Sequence, residues 1–326
     1  MKKNYFGVDV GSKELVLAYF PSGSSGKVRT YKNTVAGIKK ILKLVGKFEN
    51  AHIILEATGT YSKRLVYGCL QADVPLSMLT PSQGKSIGMV LGKSNKTDAE
   101  DARSLARYGE MVEPPAYEHP SEQDEHNRQL LNYISYLNKQ KTRISNKLHA
   151  LSFEQHPCNY VIKELEEELV KIEAKIKKAM QELEQLQEGQ LEQAVAKAET
   201  VVGIGRKTAL CLMLLTGGLS HFETAKQLAN FIGICPALYE SGSSINRRAT
   251  ISKKGNKMIR SLLYMCARSA KQHNPSCKAL YDRLRKKGKA HKVAMVAVGH
   301  KLIRQVFAVV KNNVDFDKQY KNEKFA

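Results

Sequence analysis

Four carboxylates in the N-terminal third stand where an α/β chain does chemistry. Asp9 lies near the end of the apolar run 5–10, and Glu56 closes the apolar run 51–55. Asp98 and Asp101 are three apart in Lys96-Thr97-Asp98-Ala99-Glu100-Asp101-Ala102-Arg103, which puts both on one helix face. Strand ends of an open α/β sheet are where ligands bind. Four converging acids repel one another, and Mg2+, a hard cation that prefers oxygen ligands, relieves that repulsion. Two such ions can clamp the attacking and leaving oxygens of a phosphodiester. Each acid also has a plainer role. Asp98 alone reads as a helix N-cap and Asp101 as a first-turn acid. Asp9 alone reads equally as a turn residue. Glu56 is harder to dismiss, because an acid on a buried strand is costly unless used. Glu100 reads as a solvated surface acid.

A second chemical candidate is Ser241, in Tyr239-Glu240-Ser241-Gly242-Ser243-Ser244. Arg247, Arg248, Lys253, Lys254, Lys257 and Arg260 follow it. A serine in a glycine-containing loop among cations suits attack on a phosphodiester, since cations hold the phosphate and stabilise transition-state charge. The hydroxyl needs a base or a metal to activate it, and neither His221 nor His273 has a triad pattern. Taken alone, a Ser-Gly pair is most often a turn. Upstream, Val201-Val202-Gly203-Ile204-Gly205-Arg206-Lys207 is a two-glycine hairpin opening a helix. It reads as a helix-hairpin-helix element whose backbone N–H groups hold a phosphate without reading sequence. Gly203, Gly205, Arg206 and Lys207 are its candidate contacts, against the alternative of a plain connection between helices.

The elements around the acids read as strand 5–10, strand 14–20, a turn over 21–26, strand 27–31, helix 34–48, strand 51–55, helix 61–71 and strand 74–79. Three strands followed by alternating helix and strand is the order of an RNase H-like fold. Gly7-Val8-Asp9-Val10-Gly11-Ser12 also resembles, over a short stretch, the first phosphate loop of sugar-kinase and actin-like ATPases. In the middle, Ile162, Leu165, Leu169, Ile172, Ile176, Ala179, Leu183 and Leu186 alternate spacings of three and four, a coiled-coil seam. Leu130, Ile134, Leu137, Ile144, Leu148 and Leu151 repeat it, with Lys141 in one seam position. His156-Pro157-Cys158-Asn159 separates the two helices. The pattern suits a hairpin within one chain or a dimerisation arm. A further helix is expected over 256–272, with Ser252 or Gly255 near its start.

Charge divides the chain of 326 residues into three parts. Residues 1–110 carry 17 Lys/Arg against 9 Asp/Glu, residues 111–199 carry 11 against 16, and residues 200–326 carry 24 against 6. The parts sum to the net charge of +21, which attracts polyanions and favours a phosphate backbone over an ATPase ligand. No apolar run approaches the length of a membrane span, and a cytoplasmic protein is expected. The six cysteines, Cys69, Cys158, Cys211, Cys235, Cys266 and Cys277, lack zinc spacing and read as reduced structural thiols.

Together these segments resemble the DEDD transposase family of Piv/MooV-type DNA invertases and bridge-RNA-guided insertion-sequence recombinases. The resemblance rests on Gly7-Val8-Asp9-Val10, Leu55-Glu56-Ala57-Thr58-Gly59 and the segment from Lys96 to Arg103. In the C-terminal part it rests on Gly203-Ile204-Gly205-Arg206-Lys207-Thr208, Gly233-Ile234-Cys235-Pro236, Ser241-Gly242 and Ile251-Ser252-Lys253-Lys254-Gly255-Asn256. It implies an α/β plus α fold: a RuvC-like domain over 1–110, a coiled-coil assembly region over 111–199 and a mainly helical transposase domain over 200–326. It implies that Asp9, Glu56, Asp98 and Asp101 form the metal site and that Ser241 becomes covalently joined to a DNA end. The partners it implies are donor and target DNA, a bridge-type non-coding RNA, and further copies of the chain in a dimer or tetramer. Two rival readings are a RuvC-like nuclease that hydrolyses DNA with metal-activated water, and a non-catalytic DNA-binding protein.

Overall fold

The computed structural model describes residues 3–20, 26–91, 97–185, 189–241 and 245–319, without the side chains of residue 88 and residues 237–249. Most of the turn over 21–26, together with Lys96, Leu186, Gly242, Ser243 and Ser244, lies outside the described residues. The chain forms two compact units, residues 1–119 and 120–326. The three-part division by charge is therefore not the division by packing.

The first unit is built on a five-stranded sheet. Its elements are β1 (Asn4–Val10), β2 (Glu14–Tyr19), β3 (Lys27–Lys32), α1 (Val35–Val45), β4 (Ala51–Glu56), α2 (Lys63–Gln71), β5 (Leu76–Leu79), α3 (Pro81–Val90) and α4 (Asp98–Val112). The strand order is β3-β2-β1-β4-β5. The first three strands are antiparallel neighbours, and β4 and β5 run parallel to β1. This is the RNase H-like order expected from the sequence. Alternation along the strands gives the sheet two apolar faces. Phe6, Val8, Val10, Ile53 and Leu55 pack with Ile38, Ile41, Leu65 and Cys69 of α1 and α2. Tyr5, Ile54 and Leu79 face the other way and meet Ile87 of α3 and Leu105 of α4.

Helix α4 lies close on β1 because Gly7 has no side chain. A Cβ there would stand 2.0 Å from the Ala102 carbonyl oxygen and 2.5 Å from the Ala106 nitrogen. The sequence reading left out α3, although its start is legible. Thr80 and Gln83 form a capping box, and Pro81 occupies the first turn.

The second unit contains α5 (Glu122–Leu151), α6 (Asn159–Gln185), α7 (Gln190–Thr200), α8 (Arg206–Thr216), α9 (Ala225–Ile232), β6 (Pro236–Ser241), β7 (Ile245–Ile251), α10 (Lys257–His273), α11 (Pro275–Lys286) and α12 (His291–Lys311). Helices α5 and α6 form a hairpin within the chain. Leu137, Ile144 and Ile172 are buried together, flanked by Leu148, Leu165, Leu169 and Ile176. Lys141 reaches out of the seam to pair with Glu173. Toward the hairpin's base, Leu131, Ile134, Ala179 and Leu183 merge into the core formed by α7, α8, α10 and α12. Leu131 is buried where the seam reading put Leu130, which is only partly covered. The seam is thus filled by the chain's own helix pair.

Helix α12 is long and apolar enough to cross a membrane by length and composition, which corrects the reading that no run approached that length. Its Met295, Val298, Leu302, Ile303 and Val306 belong to the protein core. All six cysteines are free thiols, and burial pushes Cys69 up to about 12 and Cys211 and Cys277 up to about 11. At those values the thiols are unreactive near neutral pH.

Candidate active site

The four acids gather on the α4 face of the sheet. The last registered β1–β4 pair is Val8 with Leu55, so Asp9 and Glu56 come next, side by side at the strand ends. Asp9 is within β1, opposite Val16 of β2, so it is not a turn residue. Along β1, Tyr5 and Gly7 share its face, the face on which α4 lies. Asp98 and Asp101 stand in the first turn of α4. The helix cap is Thr97, whose hydroxyl accepts a hydrogen bond from the Glu100 N–H at 3.3 Å. The expectation of Asp98 as cap is thereby corrected, and its carboxylate is not used for capping. Glu100 pairs with Arg103 along the helix and takes no part in the group.

The charges of the other three acids reach Asp9. The Asp9 carboxyl is raised from 3.8 to about 6, first by burial and then by the charges of Asp98, Asp101 and Glu56. A hydrogen bond with the Val10 backbone pulls the other way. Glu56 lies along α3, where an added Cβ at Gly84 would stand 2.1 Å from its Oε2. Among the described residues no three His, Cys, Asp or Glu are drawn together into a cage for an ion. The donor set is all hard oxygen and carries excess negative charge, which fits a divalent cation such as Mg2+. Gly84 and Gly7 are site residues that the sequence reading missed. Each makes room that only a three-dimensional neighbour reveals.

In the second unit, Ser241 ends strand β6 and pairs through its backbone with Ile245 at the tip of a two-stranded ribbon. The sequence reading had a loop here. Arg247 and Arg248 lie on the returning strand β7, and their side chains are outside the described ones. The base of the ribbon is stitched to α9: the Ser252 N–H donates to the Cys235 carbonyl at 2.9 Å and the Lys253 N–H to that of Gly233 at 3.1 Å. Arg260 donates to the Ile232 carbonyl at 2.9 Å and to the Gly255 carbonyl at 2.7 Å. It braces the fold, where a nucleic-acid contact was expected. Asn256 caps α10 with its side-chain oxygen, in place of Ser252 or Gly255.

The glycine hairpin between α7 and α8 has the same division of labour. Gly203 has φ +105° and presses on Ala270, where a Cβ would come within 2.7 Å. Gly205 is open, with nothing within 4 Å of an added Cβ, and no side chain caps α8. Arg206 is held by Glu192 at 2.7 Å and Glu199 at 3.6 Å, tying α8 to α7. Lys207, Lys253, Lys254 and Lys257 remain exposed.

Comparison with known proteins now bears on both units. The family described as "Transposase IS116/IS110/IS902 family" matches residues 195–282, and the DEDD "Transposase" family of IS110 matches residues 6–157. The "Pilin gene-inverting protein" of Moraxella bovis is 28% identical over 98% of this chain and 99% of its own length. The chain belongs to the IS110-family DEDD transposases. The "Transposase for insertion sequence element IS1111A" of Coxiella burnetii is 26% identical over 61% of this chain and 60% of its own length. Among solved structures, Thermus thermophilus RuvC matches 35% of this chain and 99% of its own at 15% identity and a TM-score of 0.26. For this IS110-family chain the fold assignment therefore stands on the strand order.

Proposed function

We propose that the chain is a DNA recombinase of a mobile element that cuts and rejoins strands through a Ser241–DNA phosphodiester. The observation that carries this reading is the convergence of Glu56, Asp98 and Asp101 on Asp9, whose carboxyl their charges help to raise. These four acids hold Mg2+, two ions being the expected number. When bound, the metal supplies Lewis-acid stabilisation of phosphoryl oxygens and lowers the pKa of a coordinated hydroxyl. Asp9 and Glu56 are fixed by the sheet, while Asp98 and Asp101 are set by the approach of α4 over Gly7.

Ser241 is the nucleophile. Its Oγ–P bond forms as a P–O bond to deoxyribose breaks; the serine proton is lost and the departing deoxyribose oxygen gains one. The phosphodiester count is unchanged, so reversal rejoins strands without ATP. Gly242 beside it permits close backbone approach, and exposed Lys253, Lys254 and Lys257 beyond the ribbon supply cations for phosphate. The DNA partners are donor and target, and a bridge-type RNA pairs with both. Copies of the chain assemble as a dimer or tetramer.

The test is to trap the adduct with element-end DNA and map it by mass spectrometry. A phosphoserine link at Ser241, absent from Ser241→Ala and from chelated protein, is expected. Cutting that survives Ser241→Ala would replace this reading with water-mediated hydrolysis. RNA recovered with the purified protein, and lost DNA pairing on its removal, would test the guide.

A further inference from the structure

The second unit contains a long groove of which the roles above use only Lys253, at its edge. Its volume is 1590 Å³, beyond the roughly 300–1,000 Å³ of small-ligand sites, so it suits a stretch of polymer. One wall is α12, which contributes lining residues from Lys292 to Val309, about 26 Å of helix. Facing it are α11, the segment after α12, and the base of the ribbon at Pro236 and Ile251.

The lining has two chemistries. Ile234, Ile251, Val296 and Ala308 contribute apolar surface. Lys253, Arg283, Lys292, Lys301, Arg304 and Lys318 contribute six cations. Among the described residues none of the six is in an ion pair, unlike Arg206 and Lys197. Two acids, Asp315 and Asp317, also line the groove, and Asp315 is paired with Lys197 at 2.9 Å. One unpaired acid therefore stands against six cations.

The groove is built into the fold. Gln305 in its lining donates to Ser276, and the buried Asn274 donates to Gln305 and to the Val202 carbonyl of the glycine hairpin. We propose that this groove binds single-stranded DNA, with phosphates on the cations and base faces on the apolar surface. A duplex keeps its bases stacked inside and offers an apolar floor nothing to bury, whereas a single strand offers both chemistries. The choice of DNA over RNA rests on the Ser241 reading: the ribbon that walls the groove carries Ser241 at its tip, about 17 Å along the strand from Pro236. The groove holds the strand whose phosphate Ser241 attacks.

Fluorescence anisotropy on the full chain tests this with a labelled single strand of about a dozen deoxynucleotides, the same sequence as RNA, and the matching duplex. The probes are Arg283→Gln with Arg304→Gln, both at exposed positions, and Ala308→Trp, which fills the floor. Each lost contact should lower the log affinity–log salt slope by about 0.7, so the double variant should lose about 1.4 and weaken binding roughly ten-fold or more. Ala308→Trp should weaken single-strand binding with little effect on the duplex, and a thermal melt matching the parent confirms folding. Unchanged single-strand affinity in both folded variants, or a loss of duplex or RNA affinity in Ala308→Trp as large as the loss for single-stranded DNA, overturns the proposal. Ser241→Ala should bind like the parent. Lost adduct with retained, groove-dependent binding therefore separates failure of the Ser241 chemistry from failure of the groove.

Discussion

Asp9 is a carboxyl whose ionisation the fold opposes. Its folded carboxyl sits near 6 against 3.8 for the ordinary group. The folded protein thus binds this proton more tightly than the unfolded chain does. Without metal, the contribution to stability is fullest below about pH 4, falls as pH rises towards 6, and stays low above that. The shift of about two units corresponds to roughly 1–3 kcal/mol once partial solvent screening is allowed for. Asp9→Asn in chelator should therefore raise thermal stability at pH 7 and do little at pH 4. Added Mg2+ should stabilise the parent and leave Asp9→Asn nearly unmoved. A variant that melts lower than the parent at pH 7 in chelator would remove the like-charge account.

At the scale of elements, two glycines separate positioning from folding. Gly84→Ala puts a Cβ against the far end of the Glu56 side chain, which can swing away. The fold should survive, and metal affinity by calorimetry should drop roughly ten-fold, the usual cost of disturbing a ligand's support. Gly7→Ala meets backbone of α4 at 2.0 Å, so α4 must lift, and the unit should lose about 1–3 kcal/mol or more. Equal melting temperatures for the two variants would refute the distinction. The hairpin obeys a similar logic. Ile172 is 4% exposed within its own chain, so Ile172→Glu should cost about 3 kcal/mol or more by burying an unpaired charge. An assembly that falls apart with an unchanged melt would instead return the seam to an interface between copies. The first unit was largely legible, because strand alternation, capping and acids at strand ends are all local signals. The ribbon was not legible, since Pro236 to Ser241 has turn-forming residues around it and becomes strand by pairing with Ile245 to Ile251. Nor were the roles of Arg206 and Arg260, because a cation's partner is fixed by packing and not by its sequence neighbours.

For the whole molecule, the charge excess is a better guide to function than any one cation in it. The last third carries 24 Lys/Arg against 6 Asp/Glu, yet Arg206 is held by Glu192 and Glu199, and Arg260 by two backbone carbonyls. Such engaged cations contribute to the long-range field that speeds association, but they release few counterions on contact. Exposed Lys207, Lys253, Lys254 and Lys257 should set the salt dependence. On duplex DNA, changing Lys253, Lys254 and Lys257 together to Gln should lower the slope of log affinity against log salt by about two to three, at nearly constant melting temperature. Arg260→Gln should do the reverse. Losing a charged donor to two carbonyls costs about 2–4 kcal/mol, loosening α9 from the base of the ribbon, while the slope moves by less than one. Adduct formation at Ser241 should fall in both cases for different reasons, through lost DNA occupancy in the first and a displaced ribbon in the second. Saturating DNA then distinguishes them, since it restores the triple lysine variant and cannot restore Arg260→Gln. A triple variant with an unchanged salt slope would place the phosphate contacts elsewhere in the second unit.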